Sequence, residues 1–265
     1  MSSFFLIFSF VLGTLIGSFL NVVALRYNTG MTLNGRSKCF SCGKNLNWHE
    51  LIPLFSFIFQ WGKCKKCKSK ISWQYPIIEF IAGILFVIIF YVFPPTTVEA
   101  SFITIFYVFI TCLLLIITIY DIKHKIIPDA LVYTFAIIAL ARLFIAPDLS
   151  FIIPSNSAIL AGPILALPFA LMFWLSKGTW MGLGDAKLVL GIGWVLGIVS
   201  GISAIVLAFW IGAIVSVVWM YIVFKKLKSK QEIPFGPYLI LGMYLVLLFG
   251  IQVIDLSPFF LYFFP

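Results

Sequence analysis

Charge is what this chain has least of. Only 10% of its 265 residues are charged, against 62% that are hydrophobic, and mean hydropathy is +1.12. That balance excludes a soluble globular domain and points to a polytopic helical membrane protein, since several apolar runs reach the roughly 20 residues a bilayer core demands. There are two histidines: His49 reads as a solvated residue and His124 as an interfacial loop residue rather than a base. No Rossmann glycine fingerprint occurs, so no dinucleotide-type domain is expected. The apolar run 4–25 lacks a basic n-region, exceeds a typical h-region and has no small-residue cleavage pattern. It reads as a retained first span rather than a signal peptide.

Acidic residues are scarce too, nine against 18 basic, for a net charge of +9. Such a balance invites nucleic acid as a partner, but the positions of the charges argue against it. Arg26, Arg36, Lys38, Lys44, Lys63, Lys65, Lys66, Lys68 and Lys70 fall in one polar segment. Lys123 and Lys125 fall in a second, Lys177 and Lys187 flank a third, and Lys225, Lys226, Lys228 and Lys230 form a fourth; only Arg142 lies elsewhere. Clustering in alternate loops is the positive-inside pattern, so these residues orient the chain in a bilayer, with the basic segments cytoplasmic.

If the four segments share one side, the number of spans between any two is even. Pro94–Glu99 divides residues 76–120, and Arg142–Asn156, with Pro147, Asp148 and Pro154, divides 129–176. The region 187–224 is too long for one helix, and Gly197, Ser200 and Gly201 offer the break. One span before Arg26 and one after Pro237 bring the expectation to about eight, with both termini outward. The expected fold is all-α and polytopic: a first span (1–26), a cytoplasmic four-cysteine zinc loop (27–75) and a seven-span membrane domain (76–265). Gly13 and Gly17 make a small-xxx-small pattern for helix packing, with Asn21 bonded to a neighbouring helix. The aromatic tail Phe259–Pro265 suits the outer interface.

Cysteine is sparse but patterned. Cys39-Phe-Ser-Cys42 and Cys64-Lys-Lys-Cys67 are separated by 21 intervening residues. Four thiolates satisfy a tetrahedral zinc ion, and neighbouring lysines favour the thiolate form. Four cysteines leave no open position for water, so the metal reads as structural. Two disulfides are the alternative, disfavoured on a cytoplasmic side. Cys112, mid-span, reads as a small buried apolar residue.

Two carboxylates border apolar runs at the same face of the expected topology: Asp121 at the inner end of the third span, and Asp185, in Gly182-Leu-Gly184-Asp185-Ala-Lys187, at the inner start of the sixth. Neighbouring aspartates cannot both ionise readily and share a proton, so one can act as general base on water and the other as general acid. That is the chemistry of aspartic peptide hydrolysis. Gly182 and Gly184 permit close backbone approach, and Lys187 and Lys123 favour ionisation of one carboxylate. The plainer alternative is helix capping, which Asp129 fits well, Asp185 in part and Asp121 poorly. A proton-coupled transporter is a further alternative. It requires mid-membrane carboxylates and an inverted repeat, and neither is visible.

With these motifs in place the chain resembles the type IV prepilin peptidases, the bifunctional leader peptidase/N-methyltransferase family of Gly-x-Gly-Asp membrane aspartic proteases. The motifs that carry the resemblance are Gly17–Val23 with Arg26, the doubled C-x-x-C with Trp48, Glu50 and Pro53 between, Gly62 before Cys64, and Tyr75-Pro76-x-x-Glu79. Asp121 with Ile127-Pro128-Asp129, Gly182-x-Gly184-Asp185-x-Lys187 and Pro234-Phe235-Gly236-Pro237 complete the set. The resemblance implies that Asp121 and Asp185 are the catalytic pair, with Gly182, Gly184, Lys187 and Asp129 shaping the site. It implies removal of a short basic leader from prepilin or pseudopilin precursors at the cytoplasmic face of the bacterial inner membrane. N-methylation by S-adenosylmethionine follows, a role associated with the cysteine loop, for which Gly62 and Glu79 are candidate donor-site residues. Phe40 stands where the family often has proline and Leu51 where it often has asparagine.

Overall fold

The computed structural model describes residues 3–30, 32, 35–146, 148–224 and 234–253. Pro147, the lysines at 225, 226, 228 and 230, and the aromatic tail from 259 to 265 lie outside the described residues. In chain order the elements are α1 (Ser3–Arg26), a 3-10 turn (Trp48–Glu50), α2 (Phe55–Phe59), α3 (Gln74–Val92), α4 (Val98–His124) and α5 (Asp129–Arg142). They continue with α6 (Asn156–Ser176), α7 (Leu183–Leu196), α8 (Ile198–Phe224) and α9 (Gly236–Phe249). No strand occurs among the described residues, only isolated bridging pairs such as Lys38–Asn45 and Lys63–Lys70.

Among the described residues, five helices are long and apolar enough to cross a bilayer: Phe4–Arg26, Gln74–Val92, Val98–His124, Asn156–Ser176 and Ile198–Val218. The protein is an all-α, multi-pass membrane protein. The expected count of about eight rests on three further helices, α5, α7 and α9, of 14 residues each. At 1.5 Å per residue each rises about 21 Å, short of a hydrocarbon core of about 30 Å, so among the described residues length and composition mark five helices as candidate spans. The region 187–224 does break, at Gly197. Its φ of +78° ends α7 in a conformation only glycine adopts freely, and α8 starts at the next residue.

The chain forms two compact units, Met1–Ile119 and Tyr120–Pro265. In the first, α1 runs along α3 so closely that side chains are excluded from the seam. A Cβ on Gly13 would lie 2.7 Å from the Ala82 carbonyl oxygen and 2.9 Å from Gly83 Cα, and one on Gly17 would lie 2.7 Å from Ala82 Cβ. This is small-residue packing, in which van der Waals contact between backbones replaces the hydrophobic drive that lipid cannot supply. Fully buried Asn21 donates to the Tyr75 carbonyl at the start of α3 and accepts from Gln74 Nε2, so the expected inter-helix bond is present. Phe86 and Ile89 complete the buried face of α3.

In the second unit α7 is central, packing against α5, α6, α8 and α9. Its glycines make the room: Gly191 faces the Phe135 ring of α5, and a Cβ on Gly193 would lie 2.7 Å from Gly162 Cα of α6. Trp194 of α7 donates its indole N–H to the Ile159 carbonyl at 2.9 Å. The α1–α3 seam gives a direct test. Gly13→Val drives a branched side chain into the Ala82–Gly83 backbone and should destabilise the protein by about 1–3 kcal/mol, read as a fall in unfolding temperature in detergent.

Candidate active site and metal centre

Asp121 lies in the last turn of α4, where its own helix offers it nothing, because negative charge opposes the dipole at a C-terminus. Its partner comes from 115 residues further on: the Gly236 amide, the first of α9, donates to Asp121 Oδ2 at 3.1 Å. The approach is possible only because residue 236 has no side chain, since a Cβ there would lie 2.6 Å from the same oxygen. The N-terminus of α9 thereby supplies what the end of α4 denies.

Asp185 occupies the third position of α7, after the N-cap Gly182, and its amide bonds the Gly182 carbonyl at 3.2 Å. Both carboxylates are buried, Asp121 3% and Asp185 9% exposed. They lie close enough to interact through space. Ile127 packs beside both: a Cβ on Gly184 would lie 2.8 Å from Ile127 Cβ, and one on Gly236 would lie 3.2 Å from Ile127 Cδ1. One apolar side chain thus wedges between the two glycines, each of which touches or adjoins a carboxylate.

The other site-shaping residues sit differently from the sequence expectation. Asp129 is the first residue of α5, and the N-cap is Pro128 with no side-chain capping bond. Its carboxylate does not cap; it takes the Lys187 ammonium at 2.7 Å, tying α5 to α7, and that ammonium also stands 4.9 Å over the Tyr133 ring. Lys187 is therefore engaged with Asp129. Gly182 has open space, its nearest neighbour for an added Cβ being Asp185 Oδ2 at 3.6 Å. Only Gly184 serves close packing here. His124 stacks its ring on Tyr120. Sequence reasoning missed Ile127 and the Gly236 amide as partners of the pair. Pro234-Phe-Gly-Pro237 was visible as a motif, but nothing local pointed it at Asp121.

The four loop cysteines converge. Sγ atoms of Cys39, Cys42, Cys64 and Cys67 all lie within 4.8 Å of one another, and Cys39 and Cys67 are 3.8 Å apart. A tetrahedral zinc with bonds of about 2.3 Å has sulfur–sulfur edges of roughly 3.8 Å, so the set fits the ion. The two halves are one turn used twice. Cys39 N–H donates to Lys44 C=O and Gly43 N–H to Cys39 C=O, and Cys64 and Lys68 repeat both bonds with Ser69 and Cys64 as acceptors. The fourth residue after each leading cysteine is left-handed, Gly43 at φ +66° and Lys68 at +61°. Amides of Cys42 and Ser41 directed at Cys39 hold its thiol down at about 6, in the thiolate range. Buried Glu50 locks the exit of the first turn, accepting from Asn47 N–H at 2.9 Å and pairing with Lys44 at 2.9 Å; these bonds hold its carboxyl below the ordinary range. Glu79 of α3 accepts from Leu54 N–H at 2.8 Å, fixing a corner whose φ is +60°.

Against known proteins, the bacterial peptidase A24 N-terminal domain matches residues 11–93 and the type IV leader peptidase family matches residues 108–217. A prepilin leader peptidase/N-methyltransferase of Bacillus subtilis (strain 168) is 32% identical over 255 residues, covering 93% of this chain and 95% of that protein. The chain belongs to the type IV leader peptidase family. A similarly named protein of Pseudomonas aeruginosa is 28% identical over 277 residues, covering 94% and 92%. One of Myxococcus xanthus reaches 43% over 83 residues, 31% of this chain and 25% of its own. No solved structure gives a significant match. The four cysteines fall inside the first matched region, and both aspartates inside the second.

The glycines of the site separate by what an added methyl would meet. Gly184→Ala and Gly236→Ala should displace Ile127 and Asp121 and lower peptidase activity at least about tenfold through misplaced groups. Gly182→Ala, with ordinary φ and free space, should leave the fold intact by unfolding temperature. In the metal centre, elemental analysis of the parent protein should find one zinc per chain, and Cys39→Ser with Cys42→Ser should remove it.

Proposed function

We propose that this chain is a membrane aspartic endopeptidase that removes the basic leader from prepilin or pseudopilin precursors and then N-methylates the new terminus. The observation that carries it is the pairing of Asp121 and Asp185, two buried carboxylates brought within electrostatic range at helix termini of one compact unit. Two such groups in one site share a proton. The ionised member accepts a proton from a water whose oxygen attacks the scissile carbonyl carbon. The protonated member gives its proton to the carbonyl oxygen as the tetrahedral intermediate forms. The intermediate collapses as the C–N bond breaks, a proton passes to the leaving nitrogen, and the pair returns to its singly protonated state. Gly236 and Ile127 support the geometry: the amide holds one oxygen of Asp121, and Ile127 fills the space between Gly184 and Gly236.

The substrate suits a site at helix ends. A pilin-like precursor carries an apolar helix after its leader, which can pack among the spans while the extended segment before it finds polar partners at the ends of α4 and α7. Clustered basic residues support a cytoplasmic active site and zinc loop in the bacterial inner membrane. Functionally the chain divides into a first span (1–26), the zinc loop (27–75) and the peptidase region (76–265). Zinc in this reading is structural and holds the loop's two turns together. S-adenosylmethionine, when bound, supplies the methyl group for the new amine. Gly62 and Glu79 act on that step through the fold. Gly62 N–H bonds Phe57 C=O and its carbonyl takes Ile71 N–H, while Glu79 takes Leu54 N–H and the Ser18 hydroxyl.

The test is incubation of the purified protein with a labelled prepilin and S-adenosylmethionine, with the product N-terminus read by mass spectrometry. Asp121→Asn and Asp185→Asn should each cut cleavage by about 10²–10⁴-fold, the usual contribution of a positioned acid or base, with unfolding temperature and zinc content unchanged. Full processing by either variant removes the dyad.

A further inference from the structure

The zinc loop keeps a block of apolar surface outside its own fold. Helix α2 is Phe-Ser-Phe-Ile-Phe, and Phe55, Ile58 and Phe59 are all exposed, as are Trp61 (87%) and Trp73 (69%). Scattered exposed apolar residues carry no message, but a contiguous group rimmed by charge marks a binding surface. Here the group lines two cavities that share Trp61 and Lys63 as a common wall. One, of about 340 Å³, is bounded by Phe59, Gln60, Trp61, Lys63, Lys65 and Lys68. The other, of about 730 Å³, is apolar, bounded chiefly by Phe57, Ile58, Trp73, Ile77 and Phe80, with Lys63 and Lys70 at its margin.

Apart from the cysteine thiolates, which the metal partly neutralises, the loop has little negative charge to set against its lysines. Glu50 is the sole acid between residues 27 and 75, and Lys44 and the Asn47 amide already hold it. Lys63, Lys65, Lys66, Lys68 and Lys70 are all exposed. Meanwhile Ile77 and Phe80 are exposed on α3, a helix of spanning length. The apolar cavity therefore shares Ile77 and Phe80 with a face that meets hydrocarbon, while three of the six residues lining the smaller one are lysines.

We infer that this edge of the loop binds one anionic phospholipid from the surrounding leaflet, its phosphate among Lys63, Lys65 and Lys68 and its acyl chain along Phe57, Ile58, Trp73, Ile77 and Phe80. The two adjoining cavities match the two halves of that molecule in polarity and order. Trp61 and Trp73, with apolar bodies and polar N–H groups, belong at this depth, and each lysine near an anionic surface strengthens binding roughly fivefold. Charge also decides against the two other candidates: a basic leader peptide and the cationic sulfonium of a methyl donor are both disfavoured beside three lining lysines. A bound lipid here clamps the zinc loop against the membrane surface, beside the first residues of α3.

The experiment uses the full-length protein in phosphatidylcholine nanodiscs containing a trace of photoactivatable phosphatidylglycerol or, separately, photoactivatable phosphatidylcholine, with cross-links mapped by mass spectrometry. Phosphatidylglycerol should label residues 57–80 at least about tenfold more than phosphatidylcholine, and unlabelled phosphatidylglycerol should compete. The triple variant Lys63→Gln, Lys65→Gln, Lys68→Gln should bring the ratio to within about twofold while keeping one zinc per chain. The corresponding triple Lys→Arg variant, which retains the charge, should keep the preference. Equal labelling by the two lipids, an unchanged ratio in the glutamine triple, loss of preference in the arginine triple, or competition by inorganic phosphate, precursor peptide or S-adenosylmethionine would overturn the proposal. The readout is lipid contact, so it stands or falls independently of peptidase activity.

Discussion

A carboxylate removed from water needs donors for its lone pairs, and one at the C-terminal end of a helix faces that helix's own negative pole as well. Asp121 is in that position, and the amide that opens α9 answers both needs at once. Much else in the second unit follows from this contact. Position 236 must be glycine for the amide to come within 3.1 Å. Ile127 must fill the gap between Gly236 and Gly184, and α7 must lie close enough to bring Asp185 into electrostatic reach. A hydrogen bond to a charged acceptor contributes about 1.5–3 kcal/mol, modest against the whole fold but large for fixing one side chain's orientation.

The zinc lobe is held by other means. It has little buried apolar area of its own, and its order comes from four converging thiols and from two copies of one turn. Lys68 stands where the first turn has glycine and adopts the same left-handed conformation, a strain that a metal-closed turn can sustain. Glu50 and Glu79 serve as staples, one closing the first turn and the other fastening the Leu54 corner to α3. Because the lobe holds itself together through sulfur and carboxylate contacts, its aromatic residues are free to face outward.

Much of this architecture is written locally and can be read from the chain. The long apolar runs, the break at Gly197, the small-residue seam on α1 and the doubled C-x-x-C each depend on neighbouring residues and a known period or spacing. What escapes is non-local. Asp129 has every sign of a helix cap, yet an ammonium 58 residues away outcompetes backbone amides for its carboxylate. Gly182 and Gly184 look equivalent in sequence, but only Gly184 lies against a distant residue, Ile127 of the α4–α5 loop. Ile127 carries no chemical signature at all, and its role exists only because two glycines happen to flank it. The span count also resists reading, since parity of charges fixes even numbers of crossings but says nothing of helices as short as 14 residues.

Those short helices bear on where the chemistry sits. Three of them, α5, α7 and α9, begin at the site, and each presents an acid to a helix start: Asp129 at the first residue of α5, Asp185 at the third of α7, and Asp121 at the first amide of α9. Helix N-termini carry a partial positive charge of about half a proton, so three of them provide the favourable field that clustered carboxylates would otherwise lack. A helix rising about 21 Å leaves one end inside a hydrocarbon layer of about 30 Å, unless the bilayer thins around it. Backbone at such an end is tolerated only where protein or water satisfies it. Asp121 and Asp185 are themselves buried, so water has to reach these helix starts before a peptide bond can be hydrolysed there.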